Sequence, residues 1–352
     1  MPYYDNKGKF AKKNYFRTYF MKHTLHAITY LCILVIFGSG VCLYPYGSGS
    51  PVERHGPLHT EGNRIVDQHG ISPQLRGLSF SWSVWGGKKY YHPAVVDRLV
   101  DDFKVSVVRV AMAIEPEGGY LQQPQEQHLL IQKVVDQSIS RGIYVIIDWH
   151  DHHANLNINA AKRFFSKMAQ RYSNIPNVIY EIWNEPERQN WLDIKTYAVE
   201  VIEEIRRHDK QNLIIVGSPH WDQDVEVAST NPITGMDNIA YSFHFYASDP
   251  HHQEHLRKKA EAAMHNGLPL MVTEWGVGES DGDGIFDQQK TETWVNWMES
   301  HQLSWVNWNI TDKEETTAIL FPGAPVHGDW FTEHLTPAGT YIRNLLKTLN
   351  AY

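Results

Sequence analysis

The sequence predicts a (β/α)8 barrel preceded by an N-terminal apolar segment. Three observations point there. Eight short, β-rich apolar runs alternate with helical patterns from about residue 60 to the end of the chain. Two of those runs stop abruptly on a glutamate, Glu185 in NVIYEIWNEP and Glu274 in LPLMVTEWGVG. The 352 residues suffice for one large domain with a sizeable core, without internal repeat or room for a second folded domain. Barrel strands buried on both faces read as continuous apolar runs, and their C-terminal ends carry the functional side chains.

In chain order, Lys7, Lys9, Lys12, Lys13, Arg17 and Lys22 precede a largely apolar run from Ala27 to Tyr46, with Asp5 the only acid. Such a run of roughly 20 residues can span a bilayer, the basic flank inside and the remainder outside. A signal peptide cleaved near Gly38-Ser39-Gly40 is the competing reading. Residues 1–46 are therefore expected to be a basic tail with a membrane anchor or signal peptide, 47–59 a Gly/Ser/Pro linker, and 60–352 the folded domain. The expected location is extracellular, secreted or membrane-anchored. Both cysteines, Cys32 and Cys42, lie in the N-terminal segment, so the remainder can form neither a disulfide nor a thiolate metal site. Removing six basic residues and one acid with that segment leaves 26 basic against 39 acidic, a net charge of −13. That balance argues against a nucleic-acid partner.

Asn63 to Gly70 (NRIVDQHG) reads as a short strand and turn that plugs one end of the barrel. Strands follow at Gln74–Phe80, Ser106–Met112, Ile143–Trp149, Asn177–Trp183, Leu213–Val216, Ile239–His244, Leu270–Thr273 and Ser304–Trp308. Pro186 lacks the N–H a ladder needs and ends the fourth strand. Helical patterns fill the gaps at Ala94–Phe103, Gln127–Arg141, Ala160–Tyr172, Thr196–His208, Gln253–His265 and Gln288–Ser300, and Ala338–Leu349 closes the chain. Arg141-Gly142 and Asn266-Gly267 are recognisable stops. The stretch between the fifth and sixth strands is poorly helical.

Polar residues collect at the strand exits. Arg109 follows the second strand, His150 the third, Asn184 and Glu185 the fourth, His244 and Tyr246 the sixth, Glu274 the seventh and Trp308 the eighth. Singly, each has an ordinary explanation, an ion pair or a hydrogen-bonded core histidine. A barrel brings all of them to one mouth, and two acids there suggest acid/base work on a shared substrate. A metal-dependent hydrolase is the different class, resting on His150-Asp151-His152-His153 and on His251, His252 and His255. No spacing among them supplies ligands together with an activating base.

IYEIWNEP, LMVTEWG, VIIDWH, VVRVAM, SFHFYA and SWVNWNITDKEE resemble the motifs of glycoside hydrolase family 5, most closely its β-1,4-endoglucanase (cellulase) members. The resemblance covers about residues 60 to 350, and the two glutamate blocks stand in the right order, 89 residues apart. It implies Glu185 as acid/base, Glu274 as nucleophile and Asn184 as partner of the sugar 2-hydroxyl. Arg109, His150, His244 and Tyr246 match the supporting shell, and Trp308 the platform under the sugar at the cleavage point. Lys313 and Glu315 resemble residues that bind the next sugar on the non-reducing side. The implied substrate is a β-1,4-glucan, bound by a monomer without a cofactor; mannan, xyloglucan and mixed-linkage glucan are alternatives, as is a non-catalytic sugar-binding barrel. Many such cellulases carry a histidine after the first strand, where this chain has Ser81, and Trp82 and Trp85 are expected to reshape that side of the cleft. Trp85, Trp149, Trp191, Trp221 and Trp275 offer flat faces for glucose rings or for the core. Carboxyl groups about 5–5.5 Å apart retain anomeric configuration and those roughly 6.5–9.5 Å apart invert it. The strand positions allow either, and the resemblance implies retention. A negative Glu274 is expected to raise the pKa of Glu185 and so keep it protonated.

Overall fold

The computed structural model describes residues 49–351. Two short antiparallel strands, β1 (His59–Glu61) and β2 (Arg64–Val66), form a hairpin ahead of the barrel. Eight parallel strands then close in chain order: β3 (Arg76–Phe80), β4 (Val107–Ala113), β5 (Tyr144–His150), β6 (Val178–Glu181), β7 (Ile214–Val216), β8 (Ile239–Tyr246), β9 (Leu270–Gly276) and β10 (Trp305–Ile310), with β10 pairing back to β3. Every residue of these eight strands is buried, which is why the sequence offers continuous apolar runs in place of alternation.

Helices cover the outside: α2 (Pro93–Arg98, continued as a π-helical turn through Phe103), α3 (Pro124–Ser140), α4 (Ile158–Tyr172), α5 (Trp191–Arg206), α8 (Glu254–His265), α9 (Gln288–Ser300) and α10 (Pro337–Leu349). Their starts are chemically marked. Asn190 accepts from the N–H groups of Leu192 and Asp193, and Thr336 from Gly339. Between β7 and β8 the crossover is two short pieces, α6 (Pro219–Asp222) and α7 (Val225–Ser229), in line with the weak helical pattern there.

The expected plug is present. Leu58 and Ile65 of the hairpin region join Val107, Tyr144, Ile146, Ile179 and Met271 in a cluster at the N-terminal ends of the strands. The linker expectation needs correction. From Pro51 to His55 the chain is a helical turn, α1, capped by Ser50 and Glu53 in reciprocal hydrogen bonds. Val52 packs against the plug cluster and donates its N–H to Gly142, and His55 Nδ1 meets Asp67 at 2.8 Å. Apolar and ionic anchoring of that kind belongs to the domain. A chain beginning at Gly49 is accordingly expected to match the full domain in stability. One beginning at Gly56 should keep its activity but lose about 2 kcal/mol in urea unfolding, for the half-buried valine and the lost pair. Equal stability of the two would show that α1 contributes nothing. The proposed anchor, residues 27–46, lies outside the described residues.

Candidate active site

The site is built on a buried cation. Arg109, in the middle of β4, is wholly enclosed. Its Nε donates to Glu181 at 2.7 Å, Nη1 to Glu274 at 2.7 Å, and Nη2 to Asn184 Oδ1 at 2.6 Å, with Asp148 Oδ2 2.9 Å from Nη2. Burial alone would disfavour the guanidinium charge, but the carboxylates of Asp148, Glu181 and Glu274 raise its pKa still further. Glu274 is held from both sides, since Tyr246 donates its hydroxyl to the other oxygen at 2.7 Å. Gly276 makes room for that tyrosine: a Cβ there would lie 2.5 Å from the Tyr246 ring. With no surface of its own, Arg109 acts on the nucleophile candidate and can touch no sugar directly.

Glu185 follows β6 with a φ of +52°, a left-handed backbone that costs a non-glycine residue about 1–2 kcal/mol. Its N–H donates to Asp222 Oδ2 at 3.3 Å, which helps hold the turn. Its Oε1 lies 3.0 Å from His244 Nδ1. A carboxylate oxygen of Glu185, one of Glu274 and a ring nitrogen of His244 all lie within 4.8 Å of one another. Here the electrostatics overturn the expectation of a raised Glu185. Burial does raise it, but the hydrogen bond and charge of His244 bring it below the ordinary glutamate value. His244 moves the other way. Burial lowers its pKa, and Asp222, Glu181, Glu185 and Glu274 together carry it well above the usual histidine value. The two groups are thus pushed in opposite directions across their 3.0 Å contact.

Two adjoining hollows, of about 540 and 700 Å³, share His152, Glu185, Tyr246, Ser280 and Asp281. The first is lined by Glu274, Trp308, Trp85, Ser81, His150, Lys313 and Glu315, so those expected residues do converge. His150 stacks on Trp308 with ring centroids 5.3 Å apart, and Trp82 meets the same imidazole edge-on. Burial and the Arg109 charge hold His150 down to about 3, so this ring is neutral. Lys313 pairs with Glu315, whose carboxylate also accepts from Asn309. The second hollow contains Trp221, His244, His251, His252 and His255. Of the five candidate stacking faces, Trp85 (66% exposed) and Trp221 (37%) reach the cleft, whereas Trp149, Trp191 and Trp275 belong to the core. The histidine runs also divide: His252 Nδ1 accepts from the Tyr246 N–H, while His153 meets Glu115 at 3.2 Å.

Sequence reading passed over three buried carboxyl groups. Glu181 accepts from Arg109 and Thr273, Asp148 contacts Arg109 and His150, and Asp222 lies 3.6 Å from His244. Burial raises Asp222 to about 7. A signal existed for two of them, because Glu181 and Asp148 are carboxylates inside apolar strands (VIYE, VIID), where a charge needs a partner.

One carboxylate fixed by a guanidinium, facing a second that contacts an imidazole at the edge of an open groove, is machinery for breaking glycosidic bonds on a barrel scaffold. The family model for Cellulase (glycosyl hydrolase family 5) matches residues 66–314. Endoglucanase Z of Dickeya dadantii is 40% identical over 330 residues, covering 93% of this chain and 74% of that protein. Endoglucanase 5 of Pectobacterium carotovorum subsp. carotovorum is 38% identical over 305 residues, and there the chain spans 59% of the relative's length. Among solved structures, one from Cytophaga hutchinsonii superposes with a TM-score of 0.84 at 44% identity, covering 86% of this chain and 98% of that one. The catalytic domain of the Thermobifida fusca endoglucanase Cel5A (E5) gives 0.80 at 34%, covering 85% and 100%. The chain belongs to glycoside hydrolase family 5, among its cellulases.

Proposed function

We propose that this chain is a retaining endo-β-1,4-glucanase acting on cellulose or related β-glucans, with Glu274 as nucleophile and Glu185 as acid/base. The observation that carries the mechanism is the gap of at most 4.8 Å between carboxylate oxygens of the two glutamates. It fits the roughly 5–5.5 Å class of retaining enzymes better than the roughly 6.5–9.5 Å class of inverting ones. A variant of the Thermobifida fusca catalytic domain, 33% identical to this chain, was solved with cellotetraose, in keeping with a glucan in the same groove. Hollows on both sides of the carboxylates favour cleavage within a chain over cleavage at its end.

Each residue then has a task. Arg109 and Tyr246 aim the Glu274 carboxylate at the anomeric carbon. Glu185, supplied with a proton by His244 across their 3.0 Å contact, protonates the departing oxygen. Once the glycosyl-enzyme forms, the negative charge on Glu274 is gone, and Glu185 takes a proton from the incoming water. Arg109 only donates, so Asn184 must face it with Oδ1; Asn184 Nδ2 is left buried and without a partner among the described residues, ready to donate to a sugar 2-hydroxyl. Trp308 is the platform beneath the sugar, and Lys313, Glu315 and Trp85 bind beyond it. A rapid viscosity drop in carboxymethylcellulose, ahead of the release of reducing ends, is the expected behaviour; reducing ends without a viscosity drop would refute internal cleavage.

Trp308→Ala is expected to lower kcat/KM by about 1–3 kcal/mol, roughly 10- to 100-fold, with the fold retained. Unchanged activity with a lowered melting temperature would return Trp308 to the core. The N-terminal charge pattern supports a domain acting outside the cell, secreted or tethered by residues 27–46. Fractionation of cells expressing the full chain distinguishes the two, since a tethered form sediments with membranes.

A further inference from the structure

The two nitrogens of His244 meet different chemistry, and the donors around them can be counted. Glu181 is wholly buried, its Oε2 accepting from Arg109 Nε at 2.7 Å and its Oε1 from Thr273 Oγ1 at 2.6 Å. An ionised carboxylate only accepts, so the single hydroxyl proton of Thr273 is committed to Glu181. Thr273 Oγ1 therefore faces His244 Nε2, 2.8 Å away, as an acceptor, and Nε2 must carry a hydrogen. Nδ1 remains as the nitrogen that can gain or lose a proton, and it faces Glu185. The other charged groups around this ring are Asp222, 3.6 Å from Nε2, and Glu181 itself at 3.8 Å, with Glu274 on β9 and Asp148 on β5 acting at longer range. On Glu185 itself, His152 Nδ1 lies 4.0 Å from Oε2.

We propose that Thr273, held by Glu181, is a positioning residue that locks His244 in the tautomer with hydrogen on Nε2, and that this lock keeps one proton shared between His244 Nδ1 and Glu185 for delivery to the leaving oxygen. The inference rests on Glu185 being the acid/base. With the proton on Nδ1, the pair is imidazolium and carboxylate. With it on Glu185, the carboxylic acid donates to a bare Nδ1. Losing the proton altogether would leave a nitrogen lone pair facing a carboxylate, so the locked pair releases it only at high pH. An unlocked neutral ring could instead place its hydrogen on Nδ1 and donate to ionised Glu185, stabilising the form that cannot act as an acid.

The proton count closes over the cycle. As the bond from the anomeric carbon to the leaving oxygen breaks and the bond to Glu274 forms, the shared proton passes to that oxygen. As water then attacks the anomeric carbon and Glu274 departs, a water proton returns to the Glu185–His244 pair. The guanidinium that aims the nucleophile also anchors the lock, through Glu274, Arg109, Glu181, Thr273, His244 and Glu185 in sequence.

Thr273→Val removes the hydroxyl while keeping a β-branched side chain suited to a buried strand, and Thr273→Ser keeps the hydroxyl. On cellotetraose, the alkaline limb of kcat/KM for Thr273→Val is expected to move to lower pH by about one unit, the size of a single hydrogen bond, and Thr273→Ser to restore it. On dinitrophenyl β-cellobioside, whose leaving group needs no proton, kcat/KM of Thr273→Val should follow the original enzyme across the alkaline range. An unmoved profile on cellotetraose overturns the proposal, and so does an equal loss on both substrates at every pH. If Thr273→Val does not fold, the ring 15N resonances of His244 in the original enzyme decide, assigned by their loss in His244→Asn. Nε2 should stay protonated while Nδ1 titrates, and the reverse order overturns the lock. Failure of the underlying assignment shows elsewhere, as undiminished cellotetraose hydrolysis by Glu185→Gln.

Discussion

Glu274→Gln is expected to lose hydrolysis of both cellotetraose and dinitrophenyl β-cellobioside by about 10⁵-fold, because the group that attacks the anomeric carbon is gone and no quality of leaving group replaces it. Glu185→Gln should behave differently on the two substrates. It lacks the proton donor, so cellotetraose turnover falls by about 10²–10⁴-fold. The dinitrophenolate departs unaided, so this variant still forms the glycosyl-enzyme and then stalls for want of a base. Stopped-flow absorbance should show a burst of dinitrophenol followed by a slow steady state, and added azide should restore turnover with retained configuration. A burst in Glu274→Gln and none in Glu185→Gln would reverse the two roles. Losses below about tenfold in both, roughly 1.4 kcal/mol, would place the chemistry elsewhere.

Arg109→Met should have the largest effect on stability, about 3–5 kcal/mol in urea unfolding near neutral pH. Removing the guanidinium leaves the buried Asp148, Glu181 and Glu274 without their shared cation. Activity should fall with it, since Glu274 loses one of its two anchors. The effect depends on pH with a defined sign. Burial raises Glu181, but Arg109 and His244 outweigh it and bring the folded-state value down to about 2. Its stabilisation is therefore present above the unfolded glutamate value and lost as pH falls toward the folded one. In Arg109→Met that depression is gone and burial dominates, so the stability gap between the two proteins should narrow as pH drops below about 4. A gap that stays constant, or a variant as stable as the original, would mean that Arg109 is not the counter-charge of this site.

Much of this architecture was readable before any coordinates, for a physical reason. A parallel strand buried on both faces needs an unbroken apolar run, and the eight expected runs coincide with β3 to β10 to within a few residues. The exits carry polar residues the core cannot absorb, which is why Glu185, Glu274, His150, His244 and Tyr246 stood out together. Two kinds of feature were hidden. Val52 and His55 sit among Gly, Ser and Pro, whose composition reads as a linker, and only their contacts with Gly142 and Asp67 show that they belong to the fold. Glu181 and Thr273 lie inside strands, where their neighbours on adjacent strands decide their role, and strand register across a closed barrel is absent from a linear pattern. The state of Glu185 was misjudged for the same reason. The repulsion from Glu274 could be anticipated, but the 3.0 Å contact with His244 could not.

The most direct test of the double-displacement account is the anomeric configuration of the first product. Cellopentaose hydrolysis followed by proton NMR from the first minute should show the β-anomer of the new reducing end accumulating first, with the α-anomer appearing later at the rate of mutarotation. Appearance of the α-anomer first would mean a single displacement by water, and the pairing of Glu274 as nucleophile with Glu185 as acid/base would have to be abandoned.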